Sequence, residues 1–196
     1  MDLRLHAFEE ASRANGPGLR AVAWFQGCTL KCPDCFNPET HDSSGGYFVD
    51  TADLAQKILT IKNKIEGVSI SGGEPFQQPE GLIDFLKHLR GHGLPYPYKG
   101  VALSTLVFTG YTLEQIKRMP LGEATLSHLD VLIAGPYRAS AHSGQGLLGS
   151  ANQKIHLLTK RYNLQDFTRI PGKEIILHAD GSITSTGISP LTRMKK

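Results

Sequence analysis

The sequence predicts an α/β fold with a mainly parallel sheet. Apolar segments that are typical of buried strands alternate along the chain with segments whose apolar residues recur at helical spacing. The chain has 196 residues, so we expect one domain over residues 1–196 with a proper hydrophobic core. Four or five strand–helix units are too few to close an eight-unit barrel of typical size.

The predicted strands begin within residues 1–20, where Leu3, Leu5 and Ala7 alternate with polar neighbours. Each later core strand is a short apolar run that ends at a glycine or a turn. These core strands are predicted over residues 21–27, 67–71, 101–109 and 130–137.

Two amphipathic helices are predicted between the first core strands. Asp50 or Thr51 caps a helix that runs through about Ile65, with its apolar residues on one face. Pro79 occupies the first turn of the next helix, where its missing N–H costs nothing.

Two further elements are predicted nearer the C-terminus. Thr112 and Gln115 form a capping box that begins a third helix. Two short strands on either side of Asp180-Gly181 indicate a hairpin with a type I′ turn. This hairpin covers about residues 173–187, and we expect it to be an appendage to the single domain.

Composition and charge exclude several classes of protein. The net charge of +3 is too small to argue for nucleic acid or a membrane surface as the partner. No run of about 18 apolar residues is present, so we expect no membrane-spanning segment. The chain does not open on the apolar region of a secretory signal, and with its cysteines reduced we expect a cytoplasmic protein.

The only three cysteines lie within eight residues, as Cys28, Cys32 and Cys35. Three thiolates at this spacing can hold three irons of a cubane [4Fe–4S] cluster, which leaves the fourth iron open for chemistry. They directly follow the predicted strand 21–27, and the C-terminal ends of strands are where α/β sheets place their sites. A zinc site completed by His41 is an alternative, although His41 lies in a polar loop and is otherwise expected to be solvated. The odd count and tight spacing disfavour disulfides.

A composite motif surrounds the cysteines. It consists of GPGLR at residues 16–20, QGC at residues 26–28 and CFNPET at residues 35–40. This arrangement is very similar to the activating enzymes of glycyl-radical proteins, within the radical S-adenosylmethionine (SAM) superfamily. The resemblance implies a partial (β/α) barrel of the small radical SAM type.

The same resemblance implies how the cysteines act. Cys28, Cys32 and Cys35 hold the cluster, and its open iron chelates the amine and carboxylate of SAM. One electron from the reduced cluster then splits the sulfonium and gives a 5′-deoxyadenosyl radical.

A second motif, Gly72-Gly73-Glu74-Pro75, follows the predicted strand 67–71. Alone it would indicate only a turn, but here it matches the GGE motif of radical SAM enzymes. Glycines let the backbone approach a ligand closely, and carbonyl or carboxylate oxygens can accept hydrogen bonds from an ammonium group. The resemblance implies that Gly72, Gly73 and Glu74 bind the SAM amino group and that the backbone of Phe36 meets the adenine.

Three later segments resemble the activases of anaerobic ribonucleotide reductase in particular. They are FTGYT at residues 108–112, DVLIAGPY at residues 130–137 and GSANQKI at residues 149–155. Ala134 departs from this pattern, which usually has an acid there, and the D-x-K arrangement of the pyruvate formate-lyase activases is missing. Residues 138–150 are expected to form a mobile loop over the site. Residues 149–155 are either the start of a strand or a substrate contact.

The resemblance implies an oxidoreductase that abstracts hydrogen from a glycine of a partner glycyl-radical protein, as in the activation of anaerobic ribonucleotide reductase. It implies flavodoxin or ferredoxin as electron donor, and use under anaerobic conditions. Hydrogen abstraction needs no catalytic base, so we expect no catalytic residue beyond the cluster and SAM site. One alternative is a radical SAM enzyme that modifies another peptide or a small molecule, which Ala134 motivates. A non-enzymatic iron–sulfur or zinc protein is less favoured, because neither needs a GGE motif.

Overall fold

The structure, a computed structural model, describes residues 1–91, 103–188 and 192–194. Residues 101 and 102 of the predicted third core strand lie outside these ranges. The described strands are β1 Asp2–Ser12, β2 Arg20–Phe25, β3 Tyr47–Asp50, β4 Gly67–Gly72, β5 Ser104–Thr109, β6 Val131–Ala134, β7 His142–Gln145, β8 Leu148–Ser150, β9 Lys154–Leu157, β10 Lys173–Leu177, β11 Ile183–Gly187 and β12 Thr192–Met194. The described α-helices are α1 Thr51–Thr60, α2 Pro79–Leu89, α3 Leu113–Lys117 and α4 Gly122–Leu126.

A seven-stranded sheet in the order β3-β1-β2-β4-β5-β6-β9 forms the centre of the molecule. The four inner strands β2, β4, β5 and β6 are parallel, as the alternation of strands and helices predicts. The flanking strands β1, β3 and β9 are antiparallel to their neighbours, which the sequence did not indicate. The mixed α/β class with a mainly parallel sheet is therefore confirmed. The C-terminal ends of the four parallel strands all lie at one edge.

The central strands are apolar because both of their faces are covered. Every residue of β2 is buried, as expected for a parallel strand between two layers. Alternate residues of β5 and β6 serve two different cores. Val107 and Leu132 belong to the larger core, which α1 and α2 cover. Leu106 belongs to a smaller core on the other face, which Phe167 helps to close.

Helix α1 begins as predicted and ends earlier than predicted. The Asp50 carboxylate accepts hydrogen bonds from the backbone N–H groups of Ala52 and Asp53, so Asp50 is the cap. The helix stops at Thr60, and the backbone then forms tight turns through Lys64. Ile65 reaches the larger core from this turn, which explains why its spacing looked helical.

The other helices follow their start signals. Helix α2 begins at Pro79, and the Thr112–Gln115 capping box is present at the start of α3. Helix α3 is only one turn long and is followed by the short α4, which was not predicted. Among the described residues, no helix has the length and apolar character needed to cross a membrane.

The predicted C-terminal hairpin is present as β10 and β11, and β12 extends it to a three-stranded sheet. The predicted type I′ turn at Asp180-Gly181 is wrong. The loop is longer, because His178 N–H bonds the carbonyl of Ser182 and the Asp180 carboxylate bonds the Ser182 N–H. Glu174 attaches the sheet to the rest of the chain by accepting hydrogen bonds from the Ser12 hydroxyl and the Arg13 N–H, at 2.6 and 2.7 Å.

Candidate functional site

One cavity lies at the C-terminal edge of the parallel strands, where the segments that follow β2, β4, β5 and β6 meet. Thr109, Gly110 and Gly135 contribute to it from the ends of the last two parallel strands. All seven residues that are predicted to bind a cofactor line this cavity, namely Cys28, Cys32, Cys35, Phe36, Gly72, Gly73 and Glu74. Residues up to 46 positions apart in sequence therefore face one space.

The cysteine loop leaves β2 and is held at both ends by backbone hydrogen bonds. Gly27 N–H bonds the Thr40 carbonyl at 2.7 Å, and Cys28 N–H bonds the His41 carbonyl at 3.3 Å. Between the cysteines, Lys31 and Asp34 are exposed and take left-handed backbone conformations with φ of 47° and 56°. Such conformations are costly for residues with a Cβ and often occur at functional sites.

Gln77 is a contact of this loop that sequence reasoning missed. Its side-chain amide donates hydrogen bonds to the hydroxyls of Thr29 and Tyr111, both at 2.8 Å. Its carbonyl oxygen accepts from Thr29 N–H at 3.0 Å. Gln77 thus joins the cysteine loop to the segment after β5. No sequence pattern indicated it, because its partners come from two distant parts of the chain.

The donor chemistry of the cavity fits an iron–sulfur cluster. All three thiols are free and half-buried, and all three face the cavity. Burial raises the pKa of the Cys28 and Cys35 thiols, which favours their protonated form, and metal binding would release these protons because the ligand is the thiolate. Three thiolates are the ligand type that holds three corners of a cubane. Within the described residues, no group of three His, Cys, Asp or Glu side chains is placed so that it could hold one metal ion.

The two glycines of the GGE motif make close backbone contacts possible. Gly73 N–H bonds the Phe25 carbonyl at 2.8 Å, and Glu74 N–H bonds the Gly27 carbonyl at 2.9 Å. Gly72 has φ of +97°, and a Cβ on it would overlap the backbone of Phe25. The sequence suggested that these glycines make room for a ligand. The structure adds that they let the end of β4 lie directly against the start of the cysteine loop.

A Gly73→Ala substitution is expected to weaken both the fold and the cluster loop. Its Cβ would overlap the carbonyl oxygen of Gly27, next to Cys28, so the backbone must move. We expect a loss of about 1–3 kcal/mol in the free energy of unfolding, as for other overpacked sites. Chemical denaturation of the apoprotein, together with iron content after reconstitution, would measure it. Gly172→Ala is the control, because its Cβ would meet only ordinary contacts at 3.7 Å. Equal behaviour of the two variants would contradict the expectation.

Glu74 is fully buried and fixes the neighbouring strand end. Its carboxylate accepts hydrogen bonds from Thr109 Oγ1 at 2.8 Å, Gly110 N–H at 2.8 Å and Phe76 N–H at 3.1 Å. Burial raises the pKa of Glu74 to about 7, although each of these hydrogen bonds lowers it. Glu74 thus belongs to the cavity wall and holds the segment after β5 in place.

The buried Glu74 is expected to make the apoprotein less stable as pH rises from about 4.5 to about 7. In this window the folded protein keeps the proton on Glu74, whereas the unfolded chain has lost it. Stability present below the unfolded pKa is thus lost as pH passes through the folded pKa, by up to about 3 kcal/mol. Denaturation of the wild type and Glu74→Gln at several pH values would test this. The same slope in both proteins would assign the effect to other groups.

Phe36 lies against the aromatic residues that follow β6. Its ring centroid is 4.7 Å from that of Tyr137 and 5.9 Å from that of His142. A Cβ on Gly149 would overlap the Phe36 ring, so β8 also packs closely here. These contacts position the Phe36 side chain. The contact of the Phe36 backbone with adenine stays a prediction.

Residues 138–155 form a short 3-10 turn, the β7–β8 hairpin and the start of β9. The GSANQKI segment holds this region to the end of β6. Gln153 accepts a hydrogen bond from Gly149 N–H and donates one to the Gly135 carbonyl, while Asn152 donates to the Pro136 carbonyl. These hydrogen bonds give the segment a structural role. Gln153 also lines the cavity.

Two parts of the cavity wall were not predicted. Asn15 contributes from the loop before the GPG turn, and Thr186 and Ile188 contribute from the end of β11. Asn15 Nδ2 donates a hydrogen bond to Thr186 Oγ1 at 3.1 Å, which joins these two walls. The GPG motif could have drawn attention to Asn15. Nothing in the sequence linked the appended hairpin to the site.

Comparison with known proteins gives the family. A family model described as a 4Fe-4S single cluster domain matches residues 14–156. The anaerobic ribonucleoside-triphosphate reductase-activating protein of Vibrio cholerae is 32% identical over 80% of this chain and 99% of its own length. The protein of the same name from phage T4 is 30% identical over 72% and 85% of the two chains.

A second group of relatives matches only in part. The pyruvate formate-lyase-activating enzyme of Clostridium pasteurianum is 41% identical over 46% of this chain. The chain spans about 40% of the length of this relative. The resemblance seen in the motifs is nevertheless confirmed, and membership implies a [4Fe–4S] cluster. The chain belongs to the 4Fe-4S single cluster domain family, among the radical SAM activating proteins of glycyl-radical enzymes.

Proposed function

We propose that this protein cleaves SAM reductively at a [4Fe–4S] cluster and abstracts hydrogen from a glycine of a partner glycyl-radical protein. The partner is a protein of the anaerobic ribonucleotide reductase type, because the relatives matched over nearly their full length activate that enzyme. The observation that carries the proposal is the single cavity into which all seven residues of the cysteine loop and GGE motif converge.

The residues of the cavity divide into two binding groups. Cys28, Cys32 and Cys35 supply thiolates for three irons. Gly72 and Gly73 offer carbonyl oxygens and Glu74 a carboxylate oxygen to the SAM ammonium, and the Phe36 backbone meets the adenine. When bound and reduced, the cluster supplies one electron to the SAM sulfonium, which yields the 5′-deoxyadenosyl radical.

Part of the remaining wall is apolar. Trp24, Leu30, Phe108 and Leu147 contribute this surface to the cavity. Apolar surface beside a bound ligand displaces water, which strengthens the electrostatic contacts that hold the ligand in place. No side chain needs to act as acid or base, since hydrogen abstraction from a glycine Cα moves no proton through the protein.

The finer features of the proposal follow from the same resemblance. The sheet is a partial (β/α) barrel, and the domain covers residues 1–196 with the C-terminal sheet as an appendage. Flavodoxin or ferredoxin supplies the electron, and the protein works in the cytoplasm under anaerobic conditions.

The alternative, a radical SAM enzyme with another substrate, was motivated by Ala134. In the structure Ala134 is buried in the larger core, and the cavity wall includes Gly135 instead. An acid at this position would enter the core without facing the cavity. Ala134 therefore gives no support to a different substrate.

The test is anaerobic reconstitution with iron and sulfide, followed by reduction and addition of SAM with and without anaerobic ribonucleotide reductase. We expect 5′-deoxyadenosine, and a glycyl-radical doublet in the electron paramagnetic resonance (EPR) spectrum of the reductase. Formation of 5′-deoxyadenosine without the doublet would indicate that the enzyme acts on another substrate. Absence of both cluster and cleavage would refute the radical SAM activity.

A further inference from the structure

His41 lies beside the cysteine loop and is held there by its backbone. Its carbonyl accepts the hydrogen bond from Cys28 N–H at 3.3 Å, and its own N–H bonds the Pro38 carbonyl at 3.1 Å. The residue is half-buried and lines the same cavity as the three cysteines. The expectation of a solvated loop histidine is therefore wrong.

The Nε2 atom of His41 is shielded from solvent and has no hydrogen-bond partner among the described residues. Leaving such an atom unsatisfied is destabilising, so each case in a native protein calls for an explanation. Three other buried side-chain atoms share this condition, in Thr125, Asn152 and Ser185. None of those three residues lines the cavity, so His41 alone of the four can find its partner in a molecule bound there.

We propose that His41 Nε2–H donates a hydrogen bond to a sulfur atom of the bound [4Fe–4S] cluster, and that this bond raises the reduction potential of the cluster. The inference rests on the proposed function, because it needs the cluster. His41 is a positioning and tuning residue, since it binds neither iron nor substrate.

Proximity and charge both favour the cluster as the acceptor. Cys28 N–H is hydrogen-bonded to the His41 carbonyl, and both residues line the cavity, so a cluster held by Cys28 would occupy the space that His41 borders. Sulfides and cysteine thiolates of a cluster carry negative charge and accept N–H groups, and such hydrogen bonds are known to set cluster potentials.

The first test compares midpoint potentials by EPR-monitored redox titration of reconstituted full-length proteins. We expect His41→Phe to have a lower midpoint potential than the wild type, and His41→Gln, which keeps an N–H donor, to lie closer to the wild type. His156→Phe is the control, because His156 lies on β9 and does not line the cavity. A His41→Phe cluster with the wild-type potential would overturn the inference.

The second test needs no stable variant. The wild-type protein labelled with ¹⁵N-histidine is reduced, and its cluster is examined by electron–nuclear double resonance. A weak ¹⁵N coupling is expected from a nitrogen hydrogen-bonded to cluster sulfur. No coupling, or the strong coupling of a nitrogen bound to iron, would overturn the inference while leaving the proposed function intact. A wild-type protein that binds no cluster would refute the proposed function itself.

Discussion

Replacing Cys32 with alanine is expected to abolish SAM cleavage and leave the fold intact. Two remaining thiolates can bind only two irons of a cubane, so the cluster is no longer held at three corners. Changes to groups that merely support metal ligands already cost 10–100-fold, so we expect loss of a ligand to lower 5′-deoxyadenosine formation by more than about 100-fold. Cys32 is only half-buried and lies in a loop, so the free energy of unfolding of the apoprotein should hardly change.

Asp34→Gly is the matched control for this experiment. Asp34 lies between Cys32 and Cys35, is exposed, and has φ of 56°, a conformation that glycine adopts without strain. The variant should keep its iron and its activity. Iron content, the visible absorption of the cluster and 5′-deoxyadenosine by chromatography are the measurements. Full iron loading and cleavage by Cys32→Ala would show that this cysteine is not a ligand.

The sequence could predict the site because its motifs are local. The cysteine loop and the GGE motif each follow a parallel strand directly, and parallel strands bring their C-terminal ends together. Once β2 and β4 were recognised as neighbouring strands, the meeting of Cys28 and Gly72 required no further information. The alternation of apolar strands with amphipathic helices likewise predicted the parallel centre of the sheet.

The features that were missed depend on contacts between distant segments. The Ser- and Gly-rich composition of residues 138–150 indicated a loop, yet β7 and β8 pair there as a hairpin, which Asn152 holds to the Pro136 carbonyl. Burial of His41 likewise arises from the return of its loop against Cys28. The place of Thr186 in the cavity wall depends on Glu174, which docks the C-terminal sheet onto Ser12. Such contacts leave no periodic trace in the sequence.

Arg20→Met is expected to lower the free energy of unfolding by about 3 kcal/mol or more. The Arg20 side chain is fully buried within β2, where methionine can fill the volume of its aliphatic portion. Methionine supplies none of its N–H donors. Arg20 Nε donates to Ser69 Oγ at 2.7 Å, and its two Nη atoms donate to Ser104 Oγ at 2.7 Å and the Val68 carbonyl at 2.8 Å. The Ser69 and Ser104 hydroxyls keep hydrogen bonds to Asn15 and Tyr162, so the loss comes from the bonds to the charged donor, each worth about 1.5–3 kcal/mol.

The cost of burying the Arg20 charge opposes the stabilisation that its hydrogen bonds provide. Burial lowers the pKa of Arg20, because its charge is taken out of water without a carboxylate as its hydrogen-bond partner. Removing a buried charge can be neutral or stabilising when an apolar group replaces the whole network. Arg20→Met removes only the donor and keeps the polar acceptors, so the lost hydrogen bonds should outweigh the relief of desolvation.

Arg13→Met is the control, since Arg13 is exposed and the same change there should alter stability by no more than about 0.5 kcal/mol. Urea denaturation of the apoproteins would compare them. An Arg20→Met protein as stable as Arg13→Met would mean that desolvation of the charge cancels its hydrogen bonds. A large loss would instead identify the arginine of the GPGLR motif as structural. Arg20 Nη1 also bonds the Pro17 carbonyl at 3.2 Å, so the motif would then serve the cavity by holding the loop that carries Asn15.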